Sequence, residues 1–252
     1  MQQENNSRRN FVKLTALGSL VTIGSPTALL AATNESTAKI KLGKGQVILF
    51  QGDSLTDAGR DKGNKDANNS GALGNGYAYL AAAALLQAHA DKNLTIYNRG
   101  ISGNKIPDLT GRWQADCLDI KPDVLSIFIG VNDYWHTLTS GYKGTISDYT
   151  DGFKKLLDDT KKNLPNVQLI IGEPFAVTGI KAVTASWYPA FDAYRASAKA
   201  IAATYGATFI PCQKIFDAAQ KEAPGIYWTA DGVHPTIAGA ELMAHAWLKA
   251  VK

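Results

Sequence analysis

The chain has 252 residues, 45% of them hydrophobic and 19% charged, with a formal net charge of +4. That length suits one domain, or two at most, with enough apolar material for a core. A mild charge with no basic run leaves no electrostatic footprint for nucleic acid, so none is expected as a partner.

The N-terminus reads as a targeting segment rather than as fold. "SRRNFVK" (7–13) precedes the apolar stretch "LTALGSLVTIGSPTALLAA" (14–32), which Gly and Pro interrupt. A positive start, an apolar middle and a small-residue end predict a cleaved export signal over residues 1–32. The Arg8-Arg9 pair followed by Phe11 and Lys13 favours the twin-arginine type over an ordinary secretory signal. The expected location is periplasmic or extracellular. No cysteine follows the apolar stretch, which argues against a lipoprotein, and no later segment is apolar enough to span a membrane. Residues 33–252 show no linker and no repeat and are expected to form one domain.

In chain order, "QVILFQ" (46–51) opens the domain as a short apolar run. The polar stretch "DAGRDKGNKDANNSGALGNG" (57–76) follows it. A structureless loop of that length is uncommon in a compact domain, and this one is expected to border a site. "GYAYLAAAALLQAHA" (76–90) is apolar almost all round and predicts a well-buried helix. "NLTIYNRG" (93–100) and "DVLSIFIG" (123–130) predict further strands. "SDYTDGFKKLLDDTKKNL" (147–164) predicts a helix capped by Ser147, with Tyr149, Phe153, Leu156, Leu157 and Thr160 on its inner face. "VQLIIGEP" (167–174) is a fourth strand. The helix expected over 187–206 aligns Trp187, Phe191, Tyr194, Ala198, Ile201 and Tyr205 and stops at Gly206. "ATFIPC" (207–212) is a fifth strand. A last helix, roughly 236–250, aligns Ile237, Ala240, Met243, Trp247 and Val251. Near-continuous apolar strands alternating with helices predict a parallel sheet inside a three-layer α/β/α sandwich. Cys117 and Cys212 are expected as buried free thiols, and nothing stands at metal-ligand spacing around them, so no metal or other cofactor is expected.

Four short motifs stand at or beyond strand ends, where α/β sheets place their ligand crevice. They are Gly52-Asp53-Ser54, "NRGISGN" (98–104), "GVND" (130–133) and "DGVHP" (231–235). Each alone also fits turn chemistry. Together they supply a mechanism. Ser54 becomes a nucleophile only if a base takes its proton, and His234 is the candidate base. Asp231, three residues before it, lies within reach of the imidazole in a tight turn. The Ser54 and Gly103 backbone N–H groups and the Asn132 amide are candidate donors to an oxyanion.

These four blocks resemble those of the SGNH (GDSL-type) hydrolase superfamily, over residues 46–250. The resemblance implies a flavodoxin-like sandwich with a five-stranded parallel sheet. It also implies Ser54, Asp231 and His234 as catalytic residues, with Ser54, Gly103 and Asn132 as the oxyanion hole. One departure is Asn104, where such enzymes often carry Asp; an amide replaces a carboxylate that orients the loop. Asp53, Trp135 and His136 are the candidate substrate contacts, with bracing of the turn as the other reading of Asp53. His89 and His245 are read as packing or surface residues.

The superfamily includes lipases, lysophospholipases, thioesterases and carbohydrate acetylesterases. The polar 57–76 stretch and the aromatics Tyr134, Trp135, Trp187, Tyr227 and Trp228 lean toward sugar, with core packing as the alternative for the aromatics. The expected activity is an exported serine esterase removing short acyl groups, most simply acetyl, from a small-molecule or oligosaccharide ester. A lysophospholipase or thioesterase, an acyltransferase with the same residues, and a non-catalytic glycan-binding protein remain open alternatives.

Overall fold

Short runs of β-branched and aromatic residues form the strands β1 (Val47–Gly52), β2 (Thr95–Asn98), β3 (Val124–Phe128), β4 (Gln168–Gly172) and β5 (Thr208–Ile210). This computed structural model describes residues 39–252, and the export segment expected over 1–32 lies outside the described residues. All four strand pairings are parallel, in the order β2-β1-β3-β4-β5. That is the flavodoxin-like order. Every residue of β3 is buried, as a central strand covered on both faces requires.

The helices and helical turns are α1 (Ser54–Asp57), α2 (Ser70–Leu73), α3 (Tyr77–Ala88), α4 (Ile106–Trp113), α5 (Val131–Thr139), α6 (Ile146–Asn163), α7 (Asp192–Thr204), α8 (Cys212–Ala219), α9 (Gly225–Trp228) and α10 (Ile237–Leu248). On one face of the sheet α3 packs with α10. There Phe50 lies 5.8 Å from the Tyr77 ring and 4.8 Å from that of Trp247. The Trp247 indole N–H donates to Ser126 Oγ at 2.9 Å, so this buried donor is satisfied. On the other face α4, α6 and α7 pack together, and the Trp113 indole donates to Thr160 Oγ1 at 2.9 Å. The two ends of the described chain meet, Ile40 bridging to Val251. Cys117 and Cys212 are buried and unpaired.

Four local expectations are corrected. The cap of α6 is Thr145, not Ser147. Thr145 Oγ1 accepts from Asp148 N, and the Asp148 carboxylate returns a bond to Thr145 N, a reciprocal box that begins two residues earlier. Ser147 bonds Asp151 on the exposed side. The helix expected over 187–206 starts at Asp192, because Pro189 disfavours helical backbone at Tyr188, which is extended. Trp187 and Phe191 are buried all the same. Helix α3 buries one face, Tyr77, Ala78, Ala81, Ala82 and Leu85, while Ala83, Gln87 and Ala88 face solvent. Alanine on both faces hides this asymmetry from a hydropathy reading. In α10 Ile237 is 88% exposed, and burial begins at Gly239 and Ala240.

The 57–76 stretch is not structureless. Asn68 donates its N–H to Ile96 O and its side chain to Leu94 O, and its Oδ1 accepts Ile96 N. It therefore covers the free edge of β2, a standard need of an edge strand. Residues 70–73 add the short helix α2, capped by Asn69.

Replacing Thr145 by Ala is expected to cost about 1 kcal/mol of unfolding free energy in urea titration, and Ser147→Ala less than about 0.5 kcal/mol.

Candidate active site

Strands β1 and β3 end level with one another, Gly52 pairing with Phe128. Gly52 has φ +154°, and a Cβ there would collide with the Phe128 carbonyl. Only glycine allows the two chains to leave the sheet so close together. Asp53 follows and caps α1, its Oδ1 accepting Leu55 N at 3.0 Å. That places half-buried Ser54 as the first residue of a helical turn. Its N–H is one that a helix start leaves without an internal acceptor.

The "DGVHP" segment faces this turn. Asp231 Oδ1 accepts Val233 N at 2.9 Å and His234 N at 2.8 Å. Asp231 Oδ2 meets His234 Nδ1 at 2.7 Å, and His234 Nε2 meets Ser54 Oγ at 2.8 Å. Burial pushes the Asp231 carboxyl up, but its bonds from the His234 ring and from the two backbone N–H groups outweigh this and hold it below the usual carboxylate range. An ionised carboxylate only accepts, so Nδ1 carries the proton, Nε2 is the acceptor, and the Ser54 hydroxyl donates. The turn itself is held from behind. Gly232 O accepts Val177 N at 2.7 Å and Asp231 O accepts Ala182 N at 3.0 Å. Gly232, at φ +99°, has no room for a side chain against Val177 and Val183.

The third part is the 101–106 loop. Asp57 Oδ2 accepts Ser102 N at 2.8 Å and Ser102 Oγ at 2.7 Å, and Lys62 Nζ lies 2.9 Å away. Burial pushes Asp57 up, and the Lys62 and Ser102 bonds pull it below the usual range. Arg112 Nε donates to Asn104 Oδ1 at 2.8 Å, so the amide that replaces the expected carboxylate still braces this loop. Asn132 Nδ2 donates to Asn104 O at 3.2 Å, which sets the Asn132 amide against the carbonyl of the Asn104–Lys105 peptide. Neither the Ser54 nor the Gly103 backbone N–H bonds any described residue. Beneath, Asp133 Oδ1 accepts Ile106 N at 3.0 Å and ties the loop's end to α5.

Asp53 and Asp133 are both buried, and each has an Oδ2 without a partner among the described residues. Burial pushes each carboxyl up to about 7; for Asp53 the nearby Asp133 adds to this, and in both cases backbone N–H bonds oppose it. Of the expected substrate contacts, Asp53 is thus displaced: with no exposed surface it braces the Ser54 turn. Trp135 is half-buried with its ring 6.0 Å from that of His234. His136 stands beside the 103 position, its Cε1 3.9 Å from where a Gly103 Cβ would be. Burial and then Lys105 lower its pKa, so it is neutral near pH 7. Among the aromatics, Tyr134 and Trp187 belong to a buried group with Phe191 and Tyr194. Tyr227 is 56% exposed, and the Trp228 indole bonds Ala223 O. Among the described residues no group of His, Cys, Asp and Glu is arranged to hold a metal ion.

Sequence reading missed Asp57, Arg112 and Asp133 as parts of the frame. Asp57 and Asp133 end the "GDSLTD" and "GVND" blocks, which was their available signal. Arg112 had none, since its spacing on α4 is that of any amphipathic helix.

The GDSL-like Lipase/Acylhydrolase family model matches residues 50–242. An acetylxylan esterase of Geobacillus stearothermophilus is 31% identical over 216 residues, covering 84% of this chain and 96% of that protein. The crystal structure of that enzyme superposes with a TM-score of 0.76 at 31% identity, over 84% of this chain and 96% of the other. A GDSL-like protein of Parabacteroides merdae superposes with a TM-score of 0.83 at 50% identity, over 84% of this chain and 98% of the other. With the parallel sheet and the strand-end blocks in place, the chain belongs to the GDSL-like lipase/acylhydrolase family and is a carboxylic ester hydrolase.

Proposed function

We propose that this protein removes acetyl groups from carbohydrate, with Ser54, His234 and Asp231 as its catalytic triad. The observation that carries the chemistry is the unbroken chain of two short hydrogen bonds, Ser54 Oγ to His234 Nε2 at 2.8 Å and His234 Nδ1 to Asp231 at 2.7 Å. Ser54 Oγ attacks the ester carbonyl as His234 Nε2 takes its proton. Asp231 stays ionised and stabilises the imidazolium. The carbonyl oxygen, now an oxyanion, receives hydrogen bonds from the Ser54 and Gly103 N–H groups and the Asn132 amide. The imidazolium then protonates the leaving sugar alkoxide as the C–O bond breaks. Water, deprotonated by His234, attacks the acetyl-Ser54 ester, and acetate leaves with Ser54 reprotonated.

The related Geobacillus stearothermophilus enzyme supports this assignment. Solved catalytic mutants of it carry alanine at a serine, an aspartate and a histidine, and the last two stand three residues apart, as Asp231 and His234 do. That enzyme is also described as an acetyl-xylooligosaccharide esterase. It supports a sugar substrate here, with Trp135 and His136 beside the reacting atoms as candidate contacts. Residues 1–32 are in keeping with export, where polymeric glycan substrates are found.

Ser54→Ala is expected to lower kcat on p-nitrophenyl acetate on the order of 10⁴-fold or more, and Asn132→Ala about 10²–10³-fold. Across p-nitrophenyl esters of rising chain length the rate is expected to peak at acetate; a peak at octanoate or beyond would replace the acetyl reading by a lipolytic one. Acetate release from acetylated xylo-oligosaccharides tests the sugar directly.

The fold that carries this chemistry has its own pH dependence. Asp53 and Asp133 titrate higher folded than unfolded, so their stabilising contribution is complete below the ordinary carboxylate range and is lost as pH rises to about 7. Asp231 and Asp57 act oppositely, their contribution being lost as pH falls below that range. Asp133→Asn is therefore expected to flatten the decline of Tm between roughly pH 4 and pH 8, read by calorimetry.

A further inference from the structure

Beyond the ends of β4 and β5, on the same C-terminal rim of the sheet as Ser54, lies a cavity of about 300 Å³. Its lining includes Thr178, Tyr188, Asp192, Arg195, Gln213 and Asp217. That volume is at the lower limit for small-molecule sites. None of these residues serves the Ser54 chemistry.

The walls are built on a polar network that is buried at Glu173 and Gln213 and open to solvent at Asp192 and Asp217. Glu173, next after β4, accepts Arg195 Nε through Oε1 and Gln213 N through Oε2, both at 3.0 Å. Gln213 Oε1 accepts Ala176 N at 3.0 Å, and its Nε2 donates to Asp217 Oδ1 at 2.9 Å. Arg195 Nη1 donates to Asp192 Oδ1 at 2.6 Å. These bonds use one oxygen of Asp192, one of Asp217 and two nitrogens of Arg195. Among the described residues they leave one guanidinium nitrogen and two carboxylate oxygens without a partner, a donor with two acceptors, on side chains anchored to the buried Glu173 and Gln213. Fixing the binding groups in advance lowers the entropic cost of capturing a ligand.

Charge selects the ligand class. Glu173, Asp192 and Asp217 outnumber Arg195, so an anion meets net repulsion. Hydroxyl groups both donate and accept, and a vicinal pair suits a donor beside acceptors. Tyr188 adds an aromatic wall. One chain segment separates this cavity from the reaction centre. Ala176 and Thr178 line the cavity, while Val177 N between them bonds Gly232 O, within the Asp231–His234 turn.

We propose that this cavity binds a neutral sugar unit, as a second carbohydrate subsite backing onto the acid–base turn. The proposal rests on the carbohydrate reading above for its ligand class, and on the cavity alone for its location.

Isothermal titration of the Ser54→Ala protein with unacetylated xylotetraose reads the binding without turnover. The titration is repeated with Asp217→Ala or Thr178→Trp added, the first removing an acceptor and the second filling the space. The expected result is millimolar or tighter binding that weakens about tenfold or more with either change. Absence of binding, or binding that survives either change, overturns the proposal. Both changes placed in the Ser54 protein are expected to leave p-nitrophenyl acetate turnover and Tm unaltered, which excludes misfolding as the cause. A wild type that cleaves p-nitrophenyl acetate, frees no acetate from acetylated xylo-oligosaccharides, yet binds xylotetraose in this cavity would overturn the deacetylation reading and leave the subsite standing.

Discussion

Gly52 lies against the Phe128 carbonyl where β1 and β3 end together, and no side chain fits between them. Parallel pairing makes both chains leave at the same edge of the sheet, and here they end level, Gly52 paired with Phe128. The closeness at Gly52 then decides how far apart their first loop residues stand. Asp53 and Ser54 follow one strand and Val131 and Asn132 follow shortly after the other, so the proposed nucleophile and the proposed amide donor leave the sheet at the same rim. Every other part of the site is docked onto this pair.

The docking uses buried polar and ionisable groups as well as apolar packing. Asp57 holds Ser102, Arg112 holds Asn104, Asp133 holds Ile106, and Asp53 holds the turn under Ser54. Such groups are poor contributors to net stability, because desolvation offsets much of their attraction. Asp53 and Asp133 show the cost directly: each keeps a carboxyl oxygen without a partner among the described residues, and burial holds both largely protonated below neutrality. What these groups provide is direction. A hydrogen bond fixes a loop's orientation to a few tenths of an ångström, which donors to an oxyanion need and which apolar contacts do not enforce. The large aromatic core on both faces of the sheet offsets the expense.

The aromatics divide accordingly. Tyr134 and Trp187 are core, Trp135 stands beside His234, and Tyr227 is exposed. Neighbours in sequence, Tyr134 and Trp135, therefore have opposite duties, since successive residues of α5 point about 100° apart. The polar 57–76 stretch changes character in the same way. Asn68 covers the β2 edge, and Lys62 touches the site's frame through Asp57.

By itself the sequence determined the sheet's strands, their alternation with helices, and the four blocks that carry Ser54, Gly103, Asn132 and the Asp231–His234 pair. These signals are local: apolar runs bounded by turns, and an aspartate three residues before a histidine. The tertiary structure decided what depends on partners distant in the chain. It set Ser54 against His234 across 180 positions, made Asp53 a brace, exposed Ile237, and joined Glu173, Arg195 and Gln213 into a network beneath the cavity beyond β4 and β5. Hydropathy patterns report which residues avoid water, whereas direction and burial at a rim are set by what packs opposite. That is why the chemistry was legible in four short motifs and the frame that aims it was not.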